Sequence, residues 1–548
     1  MAHTKLFKRF IYLLQQARRN NLQQGGLPPP VSRQAWQQSR RQFIKTATAG
    51  AVSSALFGVV PGLISYAFAS RDDEKQSRIA VIGGGLAGLN AAYRLKKVGL
   101  RATVYEASSR LGGRVMTQPN LLGQGLSIEM GGEFINTDHA DMLALIQDFG
   151  LSVFDRHADA DTVSVPGSAY YLHGQAWSEA DLVGLLQPLV AQISQDAARI
   201  DEDWDKYAPK FDKHSVSDYL DKYAGLISTP VVRTLFDNAI RTEYGVEPAE
   251  SSALQLLFLL PKVDGQDVEL LGYSDEAFTV QGGNSRIIEG LIHALEDQIH
   301  TGHVLSEIGF DRHGQYELRF VNGTKVEADV VILAMPFSVL RHVNVKTPLP
   351  GKLRQFIDQV DLGRNEKVIT GFKERVWRQS PGFSLEAWTD LGFSEAWDGA
   401  QRQADRTDGA LNYFLGGDEV KTLNNWPGGV DAAGTEFTRR LSRFVPDLQR
   451  HATGKYLRSG WTRNPYIRGA YVNYQPGQLT QFGEYLWVEA DDPAERQAVH
   501  VGRLVFAGEH LSDEFYGFMN GAAQTGRLAA QFVAQKLLKP KGLTARAG

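Results

Sequence analysis

The chain has 548 residues, which is too long for a single compact core, so we expect at least two domains. It contains no cysteine, and this excludes disulfides, thiolate metal sites and cysteine nucleophiles. The formal net charge is −4, although the first 69 residues hold nine Lys and Arg residues and no Asp or Glu. The remainder is therefore more acidic than the whole, which argues against nucleic acid as a partner because phosphate neutralisation requires a basic surface.

The N-terminal segment has the features of an export signal. The run Ser39-Arg40-Arg41-Gln42-Phe43-Ile44-Lys45 precedes an apolar, small-residue stretch from Thr46 to Phe68, and Ala67-Phe68-Ala69 supplies a cleavage site. This order is typical of a twin-arginine signal peptide, here covering residues 1–69. We therefore expect the twin-arginine translocation machinery to export the protein to the periplasm or the extracellular space of a bacterium. The stretch is also long enough to span a bilayer, so a retained membrane anchor stays open as an alternative.

The next elements form a strand, a turn, a helix and a second strand. Arg78-Ile79-Ala80-Val81-Ile82 is a short, apolar, β-branched run that predicts a buried strand. Gly83-Gly84-Gly85-Leu86-Ala87-Gly88 follows at once, helical spacing runs from Leu89 to Val98, and a second strand from Ala102 to Tyr105 ends in Glu106. The glycines, the helix and the acidic residue occur in the order that a dinucleotide-binding fold requires.

Each part of this pattern has a physical role in binding a dinucleotide. Gly83 permits the tight turn, Gly85 lets the backbone approach a pyrophosphate, and Gly88 lets the helix pack close to the strand. The N-terminus of the helix offers N–H groups and the positive end of its dipole to the phosphates. Glu106 is placed to accept hydrogen bonds from ribose hydroxyls. The pattern alone does not separate NAD from FAD.

Four further segments contain glycine, two of them after the second strand, each with a glycine pair and at least one acidic residue, and two near the end of the chain. They are Glu106-Ala107-Ser108-Ser109-Arg110-Leu111-Gly112-Gly113-Arg114, Glu129-Met130-Gly131-Gly132-Glu133-Phe134, Phe506-Ala507-Gly508-Glu509-His510 and Gly517-Phe518-Met519-Asn520-Gly521-Ala522. Together they resemble the FAD-binding motifs of the flavin monoamine oxidase family, the flavin-containing amine oxidases related to L-amino-acid and polyamine oxidases. The resemblance covers the chain from Arg78 to about Val533, and it indicates FAD rather than NAD as the cofactor.

The resemblance implies contacts with FAD along the whole chain. The cofactor-binding residues that it implies are Gly83, Gly85, Leu86, Ala87, Gly88, Glu106, Ala107, Gly112, Gly113, Arg114, Met130, Gly131, Gly132, Glu133, Val304, Gly508, Glu509, Phe518 and Met519. Ser108 stands where many members have an arginine, so one contact with FAD is expected to be lost. Ala470 stands where some members carry a flavin-linked cysteine. Because the chain has no cysteine, we expect FAD to be bound non-covalently.

Four catalytic residues are also implied by the resemblance: Lys367, Tyr471, Phe518 and Trp461. Lys367, in Gly363-Arg364-Asn365-Glu366-Lys367-Val368, resembles the family lysine that holds a water near the flavin N5 atom. The three aromatic residues resemble the wall of the substrate site, where flat rings guide an amine nitrogen and interact with its cationic form. A surface lysine and ordinary core aromatics are the structural alternatives.

Substrate preference is expected to depend on the residues after the second glycine pair. L-Amino-acid oxidases of this superfamily usually place an arginine at about the position of Phe134, where it pairs with the substrate carboxylate. Its absence favours amines over α-amino acids. Glu133 has two interpretations. It could attract a second cationic group of the substrate, as in polyamines, or it could form hydrogen bonds with the backbone or with FAD. Arg241-Thr242-Glu243-Tyr244-Gly245 is a polar cluster that we interpret as structural rather than catalytic.

These features predict an α/β fold, with a Rossmann-like FAD-binding domain of the GR2 flavoprotein type and an inserted α+β substrate-binding domain. The FAD-binding domain is expected over residues 78–145, 275–340 and 455–536, and the substrate-binding domain over 146–274 and 341–454. Residues 537–548 are expected to form a disordered tail. We identify no metal-ligand spacing, no serine-nucleophile motif and no internal repeat.

The function implied is that of an FAD-dependent oxidase. A neutral primary or secondary amine would pass hydride equivalents to FAD and become an imine, and dioxygen would reoxidise the flavin to give hydrogen peroxide. The imine would hydrolyse to an aldehyde and ammonia or a smaller amine. The alternatives are an L-amino-acid oxidase that gives a 2-oxo acid, a flavin desaturase or isomerase of apolar polyenes, and an exported FAD-binding protein without turnover. Whether the protein forms a homodimer stays open.

Overall fold

The computed structural model describes residues 77–258, 263–264, 267–268, 276–490 and 493–538. The predicted signal peptide, together with its alternative as a membrane anchor, lies outside these residues. So does most of the predicted C-terminal tail, of which Leu537 ends a turn of π-helix over Val533–Leu537. Among the described residues, no helix combines the length and the apolar character needed to cross a membrane.

The described chain forms two compact units, each assembled from separated segments. Unit 1 contains the described parts of Arg114–Arg286 and Gln359–Gly483, and unit 2 contains residues 77–113, Ile287–Asp358 and the described part of 484–538. The predicted domains are divided differently: residues 114–145, 276–286 and 455–483 of the predicted FAD-binding domain fall in unit 1, and residues 341–358 of the predicted substrate-binding domain fall in unit 2. The assignment of cofactor and substrate domains therefore stays a prediction.

The strands are numbered in chain order over the described residues. They are β1 (Ile79–Ile82), β2 (Ala102–Tyr105), β3 (Thr117–Pro119), β4 (Ser127–Glu129), β5 (Val153–Asp155), β6 (Ser168–Leu172), β7 (Gln175–Ala176), β8 (Val263–Asp264), β9 (Asp267–Val268), β10 (Phe278–Val280), β11 (Ile299–His300), β12 (Leu305–Phe310), β13 (Tyr316–Phe320), β14 (Lys325–Ala328), β15 (Val330–Leu333), β16 (Asn344–Val345), β17 (Asp361–Leu362), β18 (Glu366–Phe372), β19 (Glu386–Thr389), β20 (Glu395–Asp398), β21 (Gly409–Leu415), β22 (Ala452–Arg458), β23 (Val472–Asn473), β24 (His500–Val501) and β25 (Leu504–Phe506).

The α-helices of the same residues are numbered in the same way. They are α1 (Leu86–Lys97), α2 (Ala140–Asp148), α3 (Arg156–Ala160), α4 (Glu179–Glu202), α5 (Trp204–Asp212), α6 (Val216–Lys222), α7 (Pro230–Tyr244), α8 (Ala253–Phe258), α9 (Ser285–Ala294), α10 (Phe337–Leu340), α11 (Gly351–Gln359), α12 (Asp418–Asn424), α13 (Gly429–Leu441), α14 (Leu448–His451), α15 (Gln478–Phe482) and α16 (Met519–Phe532).

The larger sheet of unit 2 has six strands in the order β11-β2-β1-β15-β25-β24. β1 pairs in parallel with β2 and with β15, and β15 pairs in parallel with β25. Both β1 and β15 are buried along their whole lengths, as expected for apolar strands at the centre of a parallel sheet. This sheet, with α1 connecting β1 to β2, confirms the predicted Rossmann-like α/β fold.

Two helices of unit 2, α1 and α16, pack against each other through small residues. A Cβ atom at Gly526 would overlap the carbonyl oxygen of Ala87, so glycine is needed for this close approach. Asn90 Nδ2 donates a hydrogen bond to the carbonyl oxygen of Ala523 at 2.7 Å. The first turn of α1 is thereby fixed against the middle of α16.

The larger sheet of unit 1 has seven strands in the order β22-β18-β21-β20-β19-β6-β7. Alternate residues of a strand point to opposite faces of a sheet. One face carries Val368, Leu411 and Ala396, which share a hydrophobic core cluster with Phe437 of α13. The opposite face carries the intervening residues of the same strands, and Lys367 is one of them.

Side-chain caps set where several helices of unit 1 begin. Ser178, Asp203 and Thr229 each accept a hydrogen bond from a backbone N–H in the first turn of α4, α5 and α7. At α6, Ser215 and Asp218 form a reciprocal capping box. Each cap of this kind stabilises a helix by about 1 kcal/mol, so these boundaries follow from local sequence.

Candidate functional site

The glycine-rich turn of unit 2 has the geometry that close backbone approach requires. Gly83 has a φ of +110°, and a Cβ atom there would overlap the carbonyl oxygen of Ala334. A Cβ at Gly88 would overlap the carbonyl oxygen of Gly83, so only glycine lets α1 pack this close to the end of β1. At Gly85 the nearest atom to such a Cβ would be Gly113 Cα, 4.0 Å away. The space beside Gly85 is therefore open to a ligand.

Helix α1 begins at this turn without a cap. Its N-cap residue, Gly85, has no side chain, and the first turn, Leu86-Ala87-Gly88, contains no acidic residue. The first turn therefore supplies no negative charge of its own to the positive end of the helix dipole. Gly112 N donates to the carbonyl oxygen of Gly84 at 2.8 Å, which brings Gly112 and Gly113 beside the turn. A helix N-terminus of this kind suits a pyrophosphate.

Glu106, at the end of β2, supports the turn through both carboxylate oxygens. Oε2 accepts a hydrogen bond from Gly84 N at 2.6 Å, and Oε1 accepts one from Ser108 N at 2.8 Å. Each carboxylate oxygen has two lone pairs, so both keep the capacity to accept from a ribose hydroxyl. The turn and its acidic residue thus hold each other in the geometry that a dinucleotide fits.

Ala107 and Val304 lie close to Glu106 within unit 2. β11 runs parallel to β2, with His300 opposite Tyr105. Beyond these strands, His303 N donates to the carbonyl oxygen of Glu106 at 2.8 Å. Ala107 follows Glu106 and Val304 follows His303, so this hydrogen bond brings both residues to one edge of the glycine-rich turn.

The C-terminal motif lies in the same unit, after β25. Glu509 is buried, and its Oε2 accepts a hydrogen bond from Gly517 N at 2.7 Å. Helix α16 then begins at Met519, with Phe518 as its N-cap, no side-chain cap and no acidic residue in its first turn. Gly508, Glu509, Phe518 and Met519 therefore belong to one loop that leads into an uncapped helix N-terminus.

In unit 1, the second predicted glycine motif meets Lys367. The carbonyl oxygens of Glu129 and Gly131 accept hydrogen bonds from Lys367 Nζ at 3.1 and 3.0 Å. The carbonyl oxygen between them, that of Met130, accepts one from Trp461 Nε1 at 3.1 Å. The structure therefore brings two of the predicted catalytic residues, Lys367 and Trp461, to three consecutive peptide groups of this motif.

The carboxylate of Glu133 completes this arrangement. Its Oε2 accepts hydrogen bonds from Lys367 Nζ at 2.7 Å, Trp397 Nε1 at 3.1 Å and Asn412 Nδ2 at 3.2 Å. Together with the two carbonyl oxygens, Glu133 provides an acceptor for each of the three protons of the Lys367 ammonium. A water held by this ammonium would have to replace one of these acceptors.

Neighbouring groups keep the glycine motif in place. Asn284 Nδ2 donates to the carbonyl oxygens of Gly132 and Glu133 at 3.0 and 2.8 Å, and Asn284 N donates to Glu129 Oε1 at 2.9 Å. The Glu129 carboxylate also lies 3.2 Å from Arg402 Nη1. Burial raises the pKa of Glu129, while Arg402 and the Asn284 N–H act in the opposite direction. Buried polar groups thus fix the backbone segment whose carbonyl oxygens accept hydrogen bonds from Lys367.

The residues that meet Glu133 come from adjacent strands of the seven-stranded sheet. Lys367 on β18 lies opposite Phe414 on β21, and Asn412 on β21 lies opposite Trp397 on β20. The rings of Trp397 and Phe414 are in contact, with centroids 5.2 Å apart. The face of the sheet opposite the apolar core is therefore aromatic and polar at this point.

The hairpin of β19 and β20 extends the same face. Its register pairs Glu386 with Trp397 and Trp388 with Glu395, whereas Ala387 and Ala396 lie in the core cluster of the other face. The triplet Glu-Ala-Trp occurs twice, at 386–388 and 395–397, and this short repeat was not identified in the sequence. Trp397 and Asn412 were not among the predicted site residues. The repeated triplet, with a small apolar residue between two larger ones, is a sequence signal for such a two-faced hairpin.

Tyr471 lies beside the chain that leads to Lys367. Gly363 N donates to the carbonyl oxygen of Tyr471 at 2.6 Å, and Asn365 N donates to that of Ala470 at 2.9 Å. These bonds connect residues 363–365, just before β18, with residues 470–471, just before β23. They place Tyr471 and Lys367 on segments that are held together within unit 1.

Charged residues surround Tyr471 as well. Burial raises the pKa of Tyr471, the carboxylates of Glu243 and Glu276 raise it further, and Arg114 lowers it. Its hydroxyl therefore stays protonated throughout the physiological range of pH. Arg114 belongs to the predicted cofactor set, and its carbonyl oxygen accepts a hydrogen bond from Gly132 N at 3.0 Å.

The Arg241-Thr242-Glu243-Tyr244-Gly245 cluster forms the end of α7. Arg364 N donates to the carbonyl oxygen of Gly245 at 2.6 Å, and Asn365 Nδ2 donates to that of Arg241 at 2.9 Å. A Cβ atom at Gly363 would overlap the carbonyl oxygen of Tyr244, so the two segments are in close contact. The cluster thus positions the chain before Lys367, while Glu243 also acts electrostatically on Tyr471.

Phe134 is covered by an arginine from a different part of unit 1. Arg156, at the start of α3, is 1% exposed, and its guanidinium carbon lies 3.6 Å from the centroid of the Phe134 ring. Its Nε donates to Gln401 Oε1 at 3.0 Å, and its Nη1 lies 3.7 Å from Glu276 Oε2. Within the described part of the chain, Nη2 has no hydrogen-bond partner. Arg156 therefore places a guanidinium beside position 134, where the sequence itself has no arginine.

The four predicted catalytic residues are divided between the units. Lys367, Trp461 and Tyr471 belong to unit 1, and Phe518 belongs to unit 2. The predicted cofactor residues are divided in the same way, with Arg114, Met130, Gly131, Gly132 and Glu133 in unit 1 and the others in unit 2. Their roles toward a cofactor or a substrate stay predictions.

Comparison with known proteins identifies the family. A model of the family described as "Flavin containing amine oxidoreductase" matches residues 86–534. The "Probable flavin-containing monoamine oxidase A" of Dictyostelium discoideum is 24% identical over 482 residues, which cover 84% of this chain and 98% of that protein. The flavin-containing amine oxidase of Danio rerio is 27% identical over 476 residues, which cover 83% of this chain and 85% of that protein.

Solved structures show the same fold. Wild-type putrescine oxidase bound to putrescine has a TM-score of 0.68 and 22% identity, and the match covers 84% of this chain and 99% of that one. Cyclohexylamine oxidase from Brevibacterium oxydans has a TM-score of 0.67 and 22% identity, with 84% and 100% covered. The family match begins at Leu86, the first residue of α1 in unit 2, and includes Lys367, Trp461 and Tyr471 of unit 1. The chain therefore belongs to the family of flavin-containing amine oxidoreductases.

Proposed function

We propose that the protein is an exported oxidase that uses non-covalently bound FAD to convert a primary or secondary amine to an imine, with dioxygen reduced to hydrogen peroxide. The imine then hydrolyses to an aldehyde and ammonia or a smaller amine. FAD is the cofactor of this family, and when bound it accepts the two electrons that leave the amine. The residues of this chain supply binding, orientation and exclusion of water.

The observation that carries this proposal is the buried Lys367 on the aromatic and polar face of the unit 1 sheet. Lys367 Nζ lies 5.2 Å from the centroid of the Trp397 ring, and Trp461 is hydrogen-bonded to the adjacent peptide. Aromatic faces attract ammonium groups, and a protonated amine is the form of the substrate that predominates near neutral pH. A face of this composition, set against an apolar core, suits a small amine.

Tyr471 contributes a neutral wall to this site. Because burial keeps its hydroxyl protonated, the ring neither carries charge nor takes a proton from the substrate near pH 7. The nitrogen must be neutral when it loses electrons, so the limiting rate of flavin reduction should rise with pH through the pKa of the bound amine. A rate that is independent of pH on a good amine substrate would contradict this proposal.

FAD fits unit 2 through the open space beside Gly85 and the uncapped first turn of α1. The absence of cysteine supports non-covalent attachment, since a cysteinyl link to Ala470 or to any other position is chemically excluded. Acid precipitation of the holoprotein should therefore release the whole of its yellow chromophore into solution. A chromophore that stays with the precipitate would show a covalent link of another kind.

An L-amino-acid oxidase is the second candidate, and one observation favours it. Arg156 lies against Phe134 with Nη2 unpaired among the described residues, and a guanidinium is a natural partner for a substrate carboxylate. However, the carboxylates of Glu276, Glu133, Glu386 and Glu395 all interact with Arg156 electrostatically. These four carboxylates would repel the carboxylate of an α-amino acid substrate. We therefore place amines ahead of α-amino acids.

The experiment that separates these functions is anaerobic reduction of the holoprotein. Putrescine, cyclohexylamine and other monoamines form one panel, because similar proteins are named putrescine, cyclohexylamine or monoamine oxidase, and L-amino acids form the other. Loss of flavin absorbance with an amine, followed by peroxide release when air is admitted, supports the proposal. Bleaching by L-amino acids alone would favour the second candidate, and bleaching by neither panel would favour an FAD-binding protein without turnover.

Export is proposed from the twin-arginine motif and the apolar stretch behind it. The twin-arginine machinery carries folded proteins, so it suits a chain that takes up FAD before translocation. Fractionation of a bacterial host should place the protein outside the cytoplasm, and replacement of Arg40 and Arg41 by lysine should retain it inside. Equal export of both versions would refute this route.

A further inference from the structure

We propose that Glu133 is the positioning residue for Lys367, which holds the ammonium in one place and supplies its counter-charge. This goes beyond the predicted roles of Glu133 as a cofactor ligand or as an attractor of a second substrate cation. The ion pair itself does not depend on the proposed function, whereas its effect on the reaction of the flavin with dioxygen rests on that function.

The geometry of the pair is that of a buried salt bridge with additional donors. Lys367 Nζ lies 2.7 Å from Glu133 Oε2, and each side chain is 6% exposed. The same oxygen accepts from Trp397 Nε1 at 3.1 Å and from Asn412 Nδ2 at 3.2 Å. One carboxylate oxygen is therefore fixed by donors from three adjacent strands, β18, β20 and β21.

The other two acceptors of the ammonium come from the segment that carries Glu133. They are the carbonyl oxygens of Glu129 and Gly131, at 3.1 and 3.0 Å. Lys367 Nζ alone thus donates to three acceptors of this segment. Because every proton of the ammonium has an acceptor, Lys367 cannot rotate without losing a hydrogen bond in the interior, where such a loss is costly.

Charge explains why Glu133, rather than the two carbonyl oxygens, is the residue that positions Lys367. A buried ammonium without a counter-charge is strongly destabilising, and a buried carboxylate that loses its cation is equally so. Removal of one partner should therefore cost far more than removal of both. An amide at position 133 keeps an oxygen acceptor for Trp397 and Asn412 but carries no charge.

The test is a double-mutant cycle with Glu133→Gln, Lys367→Met and the double variant, all as FAD-loaded protein. Each single variant should lower the midpoint of thermal unfolding, and the double variant should recover part of that loss. Asp398→Asn is the matched control, since Asp398 lies on β20 of the same sheet and the change breaks its buried ion pair with Arg375, whose Nη1 lies 2.9 Å from Asp398 Oδ2. Asp398→Asn should lower the midpoint of thermal unfolding by the same amount with lysine or with methionine at position 367.

The second readout is the rate at which dioxygen reoxidises flavin that has been reduced with dithionite, so no amine substrate is needed. Glu133→Gln should slow this rate about tenfold when Lys367 is present and should not change it in the Lys367→Met background. A purely structural role would slow both backgrounds by the same factor. If Glu133→Gln does not fold, Trp397→Phe removes one of the three donors and keeps both charges, and it should slow reoxidation only when Lys367 is present.

Two results would overturn the proposal. The first is additive loss of thermal stability across the cycle, which would mean that the two side chains do not depend on each other. The second is an equal effect of the position 133 variant on reoxidation in both backgrounds. Failure of every amine to reduce the flavin would instead refute the proposed function and would leave both of these measurements valid.

Discussion

Replacement of Gly85 by alanine should weaken FAD binding without destabilising the fold. The backbone of Gly85 is extended, with φ −78° and ψ 179°, which alanine adopts freely. The added methyl group would meet only Gly113 Cα at 4.0 Å. It would therefore occupy the open space beside the first turn of α1, where the pyrophosphate is expected.

The magnitudes decide the outcome for the apoprotein. Alanine lowers the entropy of the unfolded chain, which stabilises the fold by about 0.4–1 kcal/mol. Alanine is also a poorer N-cap than glycine, which costs about 0.5–1 kcal/mol. These two effects nearly cancel. In the complex, a methyl group forced against a phosphate resembles overpacking of a core, at about 1–3 kcal/mol, and this corresponds to a loss of affinity of roughly 10- to 100-fold.

The assay is titration of FAD into apoprotein, followed by quenching of flavin fluorescence, together with thermal unfolding of each apoprotein. Gly88→Ala is the contrasting variant, because its Cβ would overlap the carbonyl oxygen of Gly83 and should destabilise the apoprotein as well. Gly184→Ala is the control: it lies in α4, where an added Cβ would meet no described atom within 4 Å. Unchanged FAD affinity in Gly85→Ala, or destabilisation equal to that of Gly88→Ala, would refute the reasoning.

Three further predictions concern unit 1. Burial raises the pKa of Glu419 from 4.5 to about 7, so the free energy of unfolding should fall between pH 4.5 and 7, by about 3 kcal/mol at most, and Glu419→Gln should flatten this fall in denaturant titrations. Ser215→Ala removes the capping box with Asp218 and should lower the free energy of unfolding by about 1 kcal/mol, again measured with denaturant. Gly363→Ala would overlap the carbonyl oxygen of Tyr244 and should lower amine oxidation in a peroxide assay more than it lowers flavin content, since it displaces the chain before Lys367.

The cofactor turn could be predicted from the sequence because its determinants are local. The second strand, Ala102–Tyr105, has the predicted bounds, and β1 differs by one residue at its start. The helix begins at Leu86 rather than at Leu89, so that prediction was wrong by almost one turn. Gly85 is extended and acts as the N-cap, and the glycine at position 88 is helical although its residue type favours loops.

The partners of Lys367 could not be predicted in the same way. The resemblance selected Lys367 and Glu133 separately, 234 residues apart, and nothing in either local sequence shows that their side chains meet. Trp397 and Asn412 lie 264 and 279 residues from Glu133. Such contacts depend on the register of three strands, which is set by the packing of the whole sheet rather than by local propensity.

The β19–β20 hairpin explains how one sheet can serve as both a core and a site. In each Glu-Ala-Trp triplet the alanine packs into the apolar cluster, and the glutamate and tryptophan must then face the other way. A register slip of one residue would bury the carboxylates in that cluster, where they would lack partners, so the functional face is fixed by the same packing that stabilises the fold. The backbone of Lys367 acquires its position from β18, and the loop residue Glu133 then docks on this face and fixes the ammonium at the end of the side chain.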